Sequence, residues 1–169
     1  ALSSDCLNSL SSDQVAYFPD DVISSFDANI VTAMPVEAIA GLNADDLNLL
    51  PSDAVAALTA EQFENIPTEA LSGFDSDDID LLRPDVIEVL DSASLNAMDA
   101  TAISGFSGSQ TALIQPEAMS GLNADTFVAF SGNAIGGLTA DHVSNLPSDI
   151  FTQSNGCLLY TSDAADDLT

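Results

Sequence analysis

Large apolar residues recur every eight positions in this chain, and that one spacing limits it to a repeat architecture. They fall at Leu2, Leu10, Phe18, Phe26, Met34, Leu42, Leu50, Leu58, Ile66, Phe74, Leu82, Leu90, Met98, Phe106, Ile114, Leu122, Phe130, Leu138 and Leu146, with no insertion. A second apolar set lies five residues further on, from Leu7, Val15 and Ile23 through Ile103 to Phe127, Ile135, Val143 and Phe151, interrupted only by Thr111. We call these positions 1 and 6 of an octad. A fixed short period marks a solenoid, whose units are too small to bury their apolar faces except by stacking.

The residues between positions 1 and 6 say what an octad does. A separation of five is odd, so on a flat strand the two positions would face opposite ways. At a helix start the same separation is the hydrophobic staple, joining the residue before the cap to the fourth helical residue. Position 2 is then the N-cap. It is mostly Ser, Thr, Asp or Asn, as at Thr59 and Asp75, or Pro, as at Pro35 and Pro51. Position 4 is mostly Asp or Glu and falls at the second helical residue, where a carboxylate meets free backbone N–H groups. In Leu58-Thr59-Ala60-Glu61-Gln62-Phe63, Gln62 can close a capping box on Thr59. Gly41, Gly73, Gly105, Gly121 and Gly137 occupy position 8 and are expected to end the helix.

Octads alternate at position 5. One kind is small or apolar there (Cys6, Val22, Ala38, Ala54, Ala70, Val86, Ala102, Ala118, Ala134, Ile150). The other is mostly polar (Gln14, Asp46, Gln62, Asp78, Ser94, Gln110, Thr126, His142), with Ile30 the exception. The expectation is an all-α solenoid of octads paired into 16-residue coils of two helices, one layer more buried than the other. At a helix spacing of roughly 8–10 Å it would be about 80–90 Å long. The alternative is a β-solenoid, which accommodates the odd spacing and the many cap residues poorly.

Charge bounds the partners. Asp and Glu number 27 against one basic side chain, Arg83, for a formal charge of −26. Nucleic acid binding needs Lys and Arg to displace counterions, and an anionic membrane surface needs them too, so neither is expected. Cations or cationic partners fit better. No apolar run reaches the roughly 18–20 residues of a membrane helix. Cys6 and Cys157 lie at opposite ends and form no disulfide framework. No Asn-x-Ser/Thr acceptor is present.

The array is expected to span 1–153, with 154–156 closing it. Residues 157–167, from Cys157 to Asp167, resemble the read-through translation of a transposase adapter used in DNA sequencing libraries. That resemblance implies that 157–169 carries no function and is disordered, and that Cys157 is spurious.

No catalytic set stands out from the repeat. His142 fills the slot where other octads carry Gln or Asp, and is expected to be exposed. Cys6 replaces the usual Ala and is expected to be a small buried thiol. Asp75, Asp77, Asp78 and Asp80 form the densest acidic cluster. They lack the alternate spacing, Gly and terminal Glu of a helix-loop-helix calcium site, so weakly held calcium at low affinity is the most they would support, and no cofactor is expected. From Leu90 to Leu113 position 4 loses its acid three times running, at Ala93, Thr101 and Ser109. The reading that follows is a non-enzymatic, extracellular or cell-surface structural protein. It is an acidic rod that associates end to end, because its first coil begins in register with no distinct polar cap. The alternative is a monomeric binding module for a protein, a glycan or a divalent cation. Thr residues share no one column, which argues against an ice- or glycan-binding ladder.

Overall fold

A computed structural model describes residues 4–150. Every element among the described residues is a short helix and none is a strand, so the β-solenoid alternative falls. The helices run from Ser4–Leu7 to Ala140–Asn145, one per octad. Each begins one residue after position 2, as the staple spacing requires. Thr59 is extended (φ −91°, ψ 159°), its hydroxyl accepts from the Gln62 N–H, and Gln62 answers at the Thr59 N–H. Where proline holds position 2, as at Pro51, its ring fixes the extended entry (φ −63°, ψ 150°) and no side chain caps the helix. Three proline-type octads tighten into 3₁₀ helices: Val36–Gly41, Thr68–Gly73 and Pro116–Gly121.

The coil differs from the 16-residue pair expected above. Helix Ser52–Ala56 packs against Ala28–Ala33 on one side and Ser76–Leu81 on the other. Likewise Ala100–Ser104 packs against Ser76–Leu81 and Ala124–Ala129. Each helix therefore stacks on the one three octads away, and a coil is three helices and 24 residues. The corners explain it. Positions 1 and 2 are both extended, as at Leu50 (φ −64°, ψ 130°) and Pro51. Two extended residues bend the chain without sending it straight back, so a second helix cannot close the coil and a third must. The described residues make about six coils rather than nine, or a rod roughly 50–60 Å long at 8–10 Å per layer.

Three octads per coil against an alternation of two has a further effect. Every helix of the kind mostly polar at position 5 stacks on helices of the kind that is small or apolar there, never on its own kind. Positions 1 and 6 of both kinds meet in one continuous core from Val15 to Ile150. Phe106 and Phe130, three octads apart, stand one above the other with ring centroids 5.7 Å apart.

The position-8 glycines end helices for a reason the caps did not reveal. None has a positive φ; Gly105 is right-handed helical (φ −74°). Each lies instead against the first residue of a capped helix 29 positions earlier: Gly41 on Ser12, Gly73 on Ala44, Gly105 on Ser76, Gly121 on Ser92, Gly137 on Gly108. A Cβ on Gly105 would sit 2.6 Å from the Ser76 carbonyl oxygen and 2.7 Å from its Cα. Backbone cannot step aside as a side-chain tip can, so the coils would be pushed apart. Gly105→Ala should therefore lower stability by about 1–3 kcal/mol through overpacking. Gly132→Ala, with nothing within 4 Å of its added Cβ, should be neutral or gain up to ~1 kcal/mol from helix propensity. Denaturant unfolding of the two variants checks the contrast, and equal losses would contradict this account.

Candidate functional site

The polar residues at position 5 are not all the exposed slots the sequence implied: only Gln14, in the first coil, is exposed, and the others are buried or half-buried. His142 is 1% exposed, Gln62 3% and Asp46 6%. The capping box draws them in. Gln62 accepts the Thr59 N–H with its amide oxygen, which turns its NH₂ group towards the coil beneath. There it donates to the Val31 and Met34 carbonyls at 2.8 and 3.2 Å. Gln110 repeats this, accepting from the Ser107 N–H and donating to the Ile79 carbonyl at 2.7 Å. His142 does the same with a ring. Its Nδ1 takes the Thr139 N–H at 3.0 Å, which leaves the hydrogen on Nε2, and Nε2 donates to the Ile114 carbonyl at 2.7 Å. A side chain with an acceptor and a donor on opposite sides thus closes its own helix start and satisfies an orphan carbonyl of an earlier corner. His142 is a coil-to-coil tie.

The acidic cluster is taken up by the same local chemistry. Asp75 caps helix Ser76–Leu81, accepting the N–H groups of Asp77 and Asp78 at 2.8 and 3.1 Å. Asp78 accepts the Asp75 N–H in return at 3.1 Å. Asp77 and Asp80 are exposed. Burial pushes the Asp78 carboxyl above its ordinary value. The Asp75 N–H opposes that shift, and the neighbouring charges of Asp75 and Asp77 add to it. At Asp91 the balance reverses. Hydrogen bonding from the Ser94 backbone N–H holds its carboxyl below the ordinary value, against a smaller effect of burial. Among the described residues no group of three or more His, Cys, Asp or Glu side chains converges as a metal site would require.

Three octads per coil also arrange the position-4 carboxylates into three columns. One runs Asn29, Asp53, Asp77, Thr101, Asp125. The second runs Asp13, Glu37, Glu61, Asp85, Ser109, Asn133, and the third Asp21, Asp45, Glu69, Ala93, Glu117, Asp141. All are exposed except Asp85, which is half-buried beside Arg83 at 3.0 Å. Residues 90–113 are therefore one whole coil that presents no carboxylate at this position on any side. Thr111, the one polar residue in the position-6 ladder, stays buried there because its hydroxyl donates to the Ser107 carbonyl at 3.0 Å. Three shallow clefts of about 250, 270 and 390 Å³ border this coil, at Asn96 and Asp99, at Asp91 and Ala93, and at Asp99 and Thr101.

Cys6 is exposed, not buried; it and the half-buried Val22 lie in the first described coil, which is covered from one side. The expectations for residues 1–3 and 151–169, including Leu2, Phe151 and Cys157, lie outside the described residues. No helix among the described residues is long and apolar enough to cross a membrane. Comparison with protein-family models, curated proteins and solved structures finds no match.

Two outcomes test the position-5 chemistry. Gln62→Ala loses its bonds to Val31, Met34 and Thr59 and should cost about 2–3 kcal/mol by denaturant unfolding, because it leaves buried carbonyls unpaired. His142→Gln should be within ~1 kcal/mol of the parent, since Gln serves in this slot elsewhere. For pH, Asp78 binds its proton more tightly folded than unfolded, so at neutral pH its charge lowers stability. Asp78→Gln should raise Tm at pH 7, with the gain shrinking as pH falls into the carboxylate range. Asp91 has the opposite sign. Its contribution is present above the unfolded value and lost as pH falls through the depressed folded one, so Asp91→Ala should lower Tm at pH 7 but not in strong acid.

Proposed function

We propose that this chain is a non-enzymatic structural protein of the extracellular space or cell surface, an acidic rod that associates end to end. The observation that carries this reading is the sameness of the stacking rule along the chain. Each coil offers its neighbour the same ladder of positions 1 and 6, so the edge of one coil can take the opposite edge of a coil whose two kinds of octad alternate the other way. In the last described coil Val143 holds a ladder position yet is 49% exposed, and Ile135 and Leu138 are only half-buried. At the other end Leu10 and Phe18 are half-buried in the same way. Joining such edges on two copies is a head-to-tail contact that does not close, and it produces filaments. The opposing force is the charge of −26, whose reach shrinks with salt.

A binding module is the second reading, favoured by the clefts that all border the acid-poor coil. Its ligand would be a protein, a glycan or a divalent cation such as calcium, bound outside any preformed cage. Light scattering on the full chain over a concentration and salt series separates the two. Growth in mass that increases with salt, and is blocked by Val143→Asp, supports end-to-end assembly. A monodisperse monomer throughout would rule it out and leave the binding module. A rise in Tm with calcium would support a cation role, and an unchanged Tm would remove it.

A further inference from the structure

Only two of the octads in register contain no charged residue: residues 106–113 (Phe-Ser-Gly-Ser-Gln-Thr-Ala-Leu) and 130–137 (Phe-Ser-Gly-Asn-Ala-Ile-Gly-Gly). They are three octads apart, and in a three-helix coil that stacks them directly. Helix Gly108–Thr111 packs on helix Gly132–Ile135. One flank of the rod, two coils tall, is thus electrically neutral in a chain with a charge of −26. The flank belongs to the less charged part of the molecule, since 18 of the 27 acids precede residue 90.

A second observation is independent of charge. Gly108 is needed within the chain, because a Cβ there would meet the Asn133 carbonyl oxygen at 2.9 Å. Gly132 has no such need: a Cβ would meet nothing within 4 Å. Gly136 differs from it, since a Cβ there would lie 3.3 Å from the Asn133 carbonyl oxygen. Glycine weakens a helix relative to alanine, and neither turn geometry nor internal packing accounts for it at Gly132. Close approach of a backbone from outside the chain is a use for glycine that would account for it.

We propose that this flank, centred on Ser109 and Asn133, is a lateral contact at which a second copy of the chain lies against the first. The occupant follows from electrostatics. Two rods of this charge repel wherever their carboxylate columns meet, and over a Debye length of about 8–10 Å near physiological salt only the nearest charges count. Neutral flank against neutral flank, with the two rods antiparallel, keeps the carboxylates of this column (Asp13, Glu37, Glu61 and Asp85) apart. A cationic partner would be drawn to the columns instead, where the acids are. The contact runs along the side of the rod and does not depend on the ends, so it is separate from end-to-end assembly.

Small-angle scattering on the full chain distinguishes the two, because side-by-side pairing doubles the mass per unit length while end-to-end growth only lengthens the particle. The parent chain should show that doubling as concentration rises at moderate salt. The double variant Ser109→Asp/Asn133→Asp restores the acid that most octads carry at position 4, so its melting should match or exceed that of the parent. It should shift the pairing concentration upward by about tenfold or more, as like charges are forced together. The variant Ala93→Asp/Thr101→Asp adds the same charge to the other two columns and should leave pairing within about twofold. A single-rod cross-section at every concentration overturns the proposal. So does an equal effect of the two double variants, which would mean that net charge, not this flank, controls association.

Discussion

The rod depends on a mismatch of counts: three octads close a coil, while two octads complete the alternation. Each helix of the kind mostly polar at position 5 therefore lies between helices of the small or apolar kind, and each kind supplies what the other lacks. Five octads of the kind small or apolar at position 5 place glycine at position 8, against the first residue of a helix of the other kind 29 positions earlier. Three octads of the other kind carry a Gln or His whose amide or imidazole N–H reaches a corner carbonyl of an earlier coil. If like stacked on like, glycine would face glycine and the polar side chains would crowd one another. The full structural repeat is then six octads, although every octad obeys the same local rule.

This explains which parts of the fold the sequence made legible. Caps, staples and the acid at position 4 are contacts within eight residues. Thr59 and Gln62, or Asp75 and Asp78, could be paired from spacing alone. The number of octads per coil is set by corner geometry, and it leaves no mark inside an octad, because positions 1 and 6 are buried whatever the coil size. The alternation at position 5 was visible but says only which helices differ, not which ones touch. Glycine carried a usable signal. Gly41, Gly73, Gly105, Gly121 and Gly137 all fall in octads of one kind, as residues facing a fixed neighbour would. Their partners 29 residues away could not be read without the coil.

His142 shows why the candidate site was harder to read than the fold. A polar residue in an amphipathic octad is expected outside, since polar groups are usually buried only with partners. Its partners here are two backbone groups 3 and 28 residues away, and sequence marks neither. The slot accepts any side chain with an acceptor facing the cap and a donor facing the coil beneath, a description that fits Gln62, Gln110 and His142 but not Asp46 or Asp78. Those two carboxylates close the cap and have no hydrogen to give. Burial then acts on a charged group with half of its usual compensation, and the Asp78 carboxyl is pushed upward accordingly.

The acids at position 4 answer to two demands that the coil separates. Within an octad a carboxylate faces free N–H groups, and it stabilises the helix start wherever it stands. Across coils the same carboxylates line up in three columns, and each adds to the repulsion between neighbouring rods. Losing the acid at Ala93, Thr101 and Ser109 removes a favourable local term at three helix starts, in three successive octads that together make one coil. Relaxation on one side would have removed every third octad's acid instead. What the loss does produce is a break in all three columns at the same height, and it extends along only one of them, through Ser109 to Asn133. Local stability is lowered there in return for a surface on which charge no longer keeps other molecules of the same kind away.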